Sequence, residues 1–344
     1  MKIAVICGGM SRERDVSIST GTNVARALRK RGHRVALMDL FLGDVSALED
    51  AEHLFTSEEA DEPYFVAEKE PDLDSVRAKR SDGGLLGPGV INVCQAADIA
   101  FLALHGAEGE NGKLQACLDL YDIPYTGSGY LGSAIAMNKE LTKILLNDAG
   151  IKTPFGVTLH RGEQLPGQIG FPCVVKPCSG GSSVATSIVQ DPKQLPKALD
   201  EAFSCDDAVI VEQFVKGREL TVGVMEGVAM PVIEIIPKSG FYDYKNKYQP
   251  GLTKEICPAQ LSDYDTERVQ RLAERVFKAL KLEAYARVDF LMSDEDSELY
   301  CLEANSLPGM TNTSLIPQMA EAQGMSYGEL CEKIIEVSLR KKKS

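Results

Sequence analysis

The chain has 344 residues, room for two or three domains, with 44% hydrophobic and 25% charged residues, an ordinary balance for a water-soluble globular protein. Its net charge of −13 argues against a general nucleic-acid binder, and no apolar run approaches membrane-spanning length. Nine scattered Cys without a CxxC pair, and four His without ligand spacing, point to reduced thiols in a cytoplasmic protein and away from zinc.

KIAVICGG reads as a buried strand, 15–31 as a helix and HRVALMDL as a second strand, a βαβ unit. With a strand opening at Lys2, no secretory leader is expected. The first loop is GGMSRER rather than GxGxxG, so Asp39 at the end of the second strand carries little weight as a dinucleotide ligand. Residues 43–92 are acidic, then glycine-rich, with no strong periodicity, and read as an exposed excursion. DIAFLALHG is the next buried strand, followed by a polar loop, a helix over 113–121, a strand and turn at IPYTGSG, and a helix over 131–149. This is an open, mostly parallel sheet, and Glu13, His105 and Glu110 fall in loops at strand ends, where ligands of such sheets sit.

From about Lys152 the texture becomes antiparallel α+β. FPCVVKP is expected to pair with TSIVQ, and AVIVEQF with ELTVGVM and MPVIEII, around a helix over 194–203. Further helices are expected over 266–280 and 326–340. The loop in CVVKPCSGGSSVATSIV can bring backbone N–H groups and hydroxyls to an anion, with Lys176 as a point charge. It is not a Walker A loop, and a flexible turn explains it about as well by itself. Glu212 and Glu219 could meet an adenine amino group and ribose hydroxyls, or each be a solvated loop charge.

The stretch 285–315 reads as two strands around a polar turn at 293–297, then a Pro-Gly loop. Alternation puts Arg287 with Asp289 and Glu303 with Asn305 on one face. Carboxylate and amide oxygens without His suit a hard cation such as Mg²⁺, and the arginine suits a phosphate or a developing oxyanion.

Taken together, GGMSRERDVSISTG, LHGAEGENGKLQ, PYTGSGYLGSAIAMNK, VVKPCSGGSSV, FYDYKNKY, ICPAQL, ARVDF and LEANSLPGMTNTSL resemble the ATP-grasp superfamily, and within it the D-alanine–D-alanine ligase family, over nearly the whole chain. The resemblance implies mixed α/β and α+β domains in a three-domain ATP-grasp architecture: an N-terminal open parallel-sheet domain (1–106), a central subdomain with the phosphate loop (107–216) and a C-terminal subdomain (217–344) with the metal site and oxyanion hole. It implies ATP-dependent joining of two D-alanines through an acyl phosphate for peptidoglycan precursor synthesis.

It implies that Glu13 holds the first D-alanine's amino group, that Ser182 and Tyr248 link to Glu13 to fasten a mobile loop, and that His105 lies beside the first substrate. Lys139 and Lys176 would contact ATP phosphates and Lys247 the transferring one, with adenine at Glu212 and ribose at Glu219. Two Mg²⁺ ions, replaceable by Mn²⁺, would be held by Asp289, Glu303 and Asn305. Arg287 and the Gly309 N–H would form the oxyanion hole, and Ser314 and Leu315 would receive the second D-alanine's carboxylate.

The expected partners are small molecules and a second copy in a cytoplasmic homodimer, with neither nucleic acid nor membrane. Asn111 and Asn138 stand where Asp is common in the family, Ala185 and Ala286 where Gly is common, and Lys245 where an acid is frequent, which bears on loop dynamics and rate. The alternatives within the family are D-alanine–D-serine and D-alanine–D-lactate ligases. The Tyr248 loop speaks against lactate, and Leu315 in place of an arginine speaks against serine. A regulatory pseudo-enzyme would lack a metal ligand or a phosphate lysine, and none is missing.

Overall fold

A computed structural model describes residues 1–58, 64, 66, 71–80, 83–167, 169–181, 184–237 and 253–341. Ser182, Lys247 and Tyr248 lie outside the described residues. In chain order the first elements are β1 (Lys2–Cys7), α1 (Arg14–Lys30), β2 (Arg34–Asp39), α2 (Leu73–Arg77), α3 (Val90–Ala96) and β3 (Ile99–Leu102). The three strands form a parallel sheet, order β2-β1-β3, with Val5 opposite Leu37 and Phe101. Both faces are covered, which is why all three read as continuous apolar runs rather than alternating ones. The excursion contributes α2, α3 and two short 3-10 turns, and its Gly87 N–H donates to the Leu40 carbonyl at 2.7 Å.

Next come α4 (Ala107–Glu110), α5 (Lys113–Leu120), α6 (Tyr130–Met137) and α7 (Lys139–Asp148). IPYTGSG is less than the expected strand. It makes one parallel bridge, Ala100 to Tyr125, before Gly127 at φ +90° turns the chain away. The helix expected over 131–149 is two. Asn138 sits extended between them and caps α7, its Oδ1 accepting the Leu141 N–H at 3.0 Å. An N-cap inside an apolar period ends one helix and starts another without breaking the pattern.

The remaining elements are β4 (Gly156–His160), β5 (Cys173–Pro177), β6 (Ser187–Val189), α8 (Leu195–Phe203), β7 (Ala208–Gln213), β8 (Gly217–Met225), β9 (Val228–Pro237), β10 (Thr253–Ile256), α9 (Asp263–Ala279), β11 (Tyr285–Ser293), β12 (Leu299–Asn305), α10 (Leu315–Ala322) and α11 (Tyr327–Arg340). They build two antiparallel sheets, β4-β7-β5-β6 and β10-β9-β8-β11-β12. FPCVVKP does pair with TSIVQ, as β5 with β6.

AVIVEQF does not pair with the strand that follows it. As β7 it is central in the smaller sheet, flanked by β4 and β5, and the chain crosses to the larger sheet through 214–216. That connection carries no two-residue turn signal, and with both edges of β7 taken, β8 pairs with β9 and β11 instead.

The larger sheet ties the molecule together. One face packs with α10 and α11 onto α1 and the first sheet, through Met230, Ile233, Ile316, Met319 and Leu330. The other packs on α7 and α9 through Leu146, Val222, Val276 and Val288.

Candidate active site

A cleft of about 990 Å³ opens between the two antiparallel sheets, and the loop 10–13 and Gly106 close one end of it. Lys139, Lys176, Gly180, Gly181, Glu212, Glu219, Asp289 and Glu303 line it together. Residues 290 positions apart in sequence, Glu13 and Glu303, thus face one space.

At the core of the smaller sheet Glu212 is 3% exposed and held from both sides. Lys176 Nζ lies 2.5 Å from Oε1 and Lys143 Nζ 2.7 Å from Oε2. Burial works to raise the Glu212 carboxyl, but the two ammonium groups outweigh it and hold it below the ordinary range. Burial lowers Lys143 and also works against Lys176, whose partner Glu212 leaves it raised. Lys143 is absent from the sequence-based set. It lies four residues after Lys139 on α7, so both ammonium groups leave one helix face, and that spacing was the available signal.

Lys139 Nζ donates to the Gly180 carbonyl at 2.6 Å and lies 4.0 Å from Glu303. Asn138 bridges to Ser179, and the Lys139 N–H donates to the Cys178 carbonyl at 3.0 Å. The glycine-rich loop is therefore pinned to the start of α7 on its near side.

On the larger sheet Asp289 is paired with Glu303 on β12 and with Thr221 on β8. Asp289 accepts from Arg287 Nε and Nη2 at 3.0 Å each, from Asn305 Nδ2 at 3.0 Å and from Thr221 Oγ1 at 2.6 Å. A β-bulge follows the Asp289–Glu303 pair and leaves both Leu302 and Glu303 in the cleft wall. Two carboxylates directly opposed across strands repel unless cations stand by. Among the described residues no cluster of three His, Cys, Asp or Glu is placed for a metal, so the candidate set is these two carboxylates and the Asn305 amide oxygen. The Asn305 amide nitrogen is turned to Asp289, which leaves its carbonyl oxygen for another partner. An all-oxygen set of this kind fits a hard divalent cation.

The first sheet delivers Glu13, at the N-cap of α1. Its Oε2 lies 3.2 Å from where a Cβ on Gly106 would stand and 3.5 Å from the same point on Gly181, so it sits between the LHG loop and the glycine-rich loop. His105 is buried and its Nε2 is 3.0 Å from Thr20 Oγ1. Burial lowers its pKa, with Glu13 opposing. Glu110 accepts the Gly106 N–H at 3.0 Å, and burial, then Glu13, push its carboxyl up to about 8.

Past β12, Ser314 Oγ accepts the Thr311 N–H at 2.9 Å and leaves the first N–H groups of α10 uncapped. A Cβ on Gly309 would meet that hydroxyl oxygen at 2.9 Å, so a side chain there would displace the Ser314 hydroxyl. The Leu315 side chain is in the core, so its backbone is what it offers a substrate.

Two lysines and two opposed carboxylates in one cleft between two antiparallel sheets, with an arginine held on one of those carboxylates, suit an ATP-dependent ligase of the ATP-grasp kind. The comparisons agree. Models of the D-Ala–D-Ala ligase N-terminus and C-terminus match residues 2–128 and 155–336. A D-alanine–D-alanine ligase of Pediococcus pentosaceus is 46% identical over 343 residues, 97% of each chain. That of Lacticaseibacillus casei is 41% identical over 99% of this chain and 96% of its own. Among solved structures, the Bacillus anthracis D-alanine–D-alanine ligase complexed with ATP superposes with a TM-score of 0.75 at 32% identity, covering 99% of this chain and 97% of that one. The VanG D-Ala:D-Ser ligase of Enterococcus faecalis does so at 0.74 and 28%, covering 98% and 99%. The chain belongs to the D-alanine–D-alanine ligase family.

Proposed function

We propose that the chain joins two molecules of D-alanine at the expense of ATP, supplying the dipeptide for peptidoglycan precursors. The observation that carries this reading is the convergence of Lys139, Lys176, Asp289 and Glu303 on one cleft whose far end holds Glu13. A carboxylate is a poor acylating agent and must first be phosphorylated. Glu13 receives the ammonium of the first D-alanine, which leaves that molecule's carboxylate facing the phosphate loop.

Lys139 and Lys176 offset charge on the phosphates as a carboxylate oxygen attacks the γ-phosphorus in line and ADP leaves. Asp289, Glu303 and Asn305 would hold Mg²⁺, which supplies charge neutralisation of the transferring phosphate when bound. The neutral amine of the second D-alanine then attacks the acyl carbon. Arg287 and the Gly309 N–H receive the tetrahedral oxyanion, each such donor contributing about 3–4 kcal/mol. Inorganic phosphate leaves, and the N–H groups opening α10 beside Ser314 hold the second carboxylate.

Glu212 on the smaller sheet and Glu219 on the larger both line the cleft and support adenosine binding there, with Lys143 keeping Glu212 in place. The roles of Ser182, Lys247 and Tyr248 rest on the family resemblance alone. The three sheets support a division into 1–106, 107–216 and 217–344, because the chain leaves the smaller sheet at β7 and enters the larger at β8. Nine free thiols support a cytoplasmic setting, and we extend the reading to a homodimer, which sedimentation would test. Phosphate release from ATP with D-alanine, D-serine and D-lactate in turn, with products weighed by mass spectrometry, tests the assignment. Release and dipeptide with D-alanine alone are expected, and a product only with D-serine or D-lactate as the second substrate would overturn it.

A further inference from the structure

Glu108, on α4, has no part in the chemistry above. It is half-buried, and its Oε2 accepts the Met10 N–H. The same oxygen lies 2.5 Å from where a Cβ on Gly9 would stand, and Gly9 is at φ +79°, so the approach of Glu108 to this loop needs glycine there twice over. On the other side of the loop Arg14 Nη1 donates to the Gly9 carbonyl at 2.5 Å and its Nη2 pairs with Asp39. Two consecutive polar backbone groups, the Gly9 carbonyl and the Met10 N–H, are thus each held by a charged side chain.

Three residues beyond Met10 is Glu13. Its carboxylate lies against Gly106, two residues before Glu108. The loops 9–13 and 106–110 therefore touch twice, once through Glu108 and Met10 and once through Gly106 and Glu13. We propose that Glu108 is a positioning residue that latches the 9–13 loop to α4 and so sets the Glu13 carboxylate where the first D-alanine's ammonium is bound. This rests on the reading of Glu13 given above.

Initial-rate kinetics that resolve the KM of the first D-alanine from those of the second and of ATP test the latch. Glu108→Ala should raise the first KM by about tenfold, the scale of one charge-assisted hydrogen bond, and leave the other two within about twofold. Glu108→Gln keeps an acceptor oxygen at the same reach and should restore most of the affinity. Glu108→Asp keeps the charge but loses reach, and should raise the first KM by at least about threefold even if the alanine variant does not fold. Glu13→Gln serves as the reference and should raise the same KM. If it does while Glu108→Ala and Glu108→Asp do not, or if all three KM values rise alike, or if Gln behaves like Ala, the latch is wrong and the role of Glu13 stands. If Glu13→Gln leaves the first KM unchanged, the role of Glu13 falls, and the latch with it.

Discussion

Arg287 grips both carboxylate oxygens of Asp289, two residues further along the same strand, with each N–O distance 3.0 Å. The pair is fixed from outside as well, because Thr221 and Asn305 donate to the same carboxylate. On the proposed reading one side chain does two things: Asp289 would offer oxygen to a cation, and it holds the guanidinium that would receive the oxyanion. The proposed metal and oxyanion groups thus meet on β11.

The opposed carboxylate, Glu303, has fewer partners among the described residues and is the cleaner probe. Glu303→Gln removes a negative charge and one good ligand oxygen while keeping shape. Turnover should fall on the order of 10²-fold or more at saturating Mg²⁺, because cation assistance is worth several kcal/mol. The circular dichroism spectrum and melting temperature should hold. Unimpaired dipeptide synthesis would sink the metal assignment.

Lys143 and Lys176 share Glu212, so breaking the set leaves charge buried. Glu212→Ala should cost about 3–5 kcal/mol by urea denaturation at neutral pH. The sign with pH follows from the depressed carboxyl of Glu212. Its contribution is present above the ordinary carboxylate value of 4.5 and is lost as pH falls through the lower folded value. The difference between parent and variant should therefore shrink below about pH 4.5. Lys143→Ala should raise the KM for ATP and leave those for D-alanine unchanged. A variant that moved the D-alanine KM instead would show the lysine pair misread.

Glu110 titrates in the other direction. Burial lifts its carboxyl to about 8, so its contribution to stability is complete below its ordinary value of 4.5 and is lost as pH rises toward 8. Melting curves of the parent and of Glu110→Gln should diverge in favour of the variant between about pH 5 and pH 8, then run parallel. Parallel curves throughout would mean that Glu110 is better solvated than its surroundings imply.

Ala185 follows the phosphate loop at φ +53°, a conformation that costs an alanine about 1–2 kcal/mol. The family resemblance expects glycine at this position. Ala185→Gly should stabilise the protein by roughly 0.5–1 kcal/mol, after the loss from greater freedom of the unfolded chain. Denaturant midpoints read this directly, and a destabilised variant would show that Ala185 is held by contacts rather than strained.

Much of this was legible in the residues. The parallel start, the β11–β12 hairpin with its charged face and the glycine-rich loop follow from period, turn chemistry and the cost of burying unpaired charge. Sheet membership was not. β7 and β8 are three residues apart and lie in different sheets, and local pattern cannot distinguish that from a hairpin. The break at Asn138 hides inside an unbroken apolar period. β4 and β10 are short and α10 opens on Leu-Ile-Pro, so each lacks the length or the polar start that marks an element. Lys143 was in view at helical spacing from Lys139, but its purpose depends on Glu212, which only the fold brings beside it.

The central claim is that the first D-alanine is activated as an acyl phosphate. D-alanine labelled with ¹⁸O in its carboxylate, turned over with ATP, tests this without any variant. The attacking oxygen stays on phosphorus when the acyl carbon–oxygen bond breaks, so each inorganic phosphate released should carry one ¹⁸O by mass spectrometry. Unlabelled phosphate formed in step with dipeptide would contradict the account.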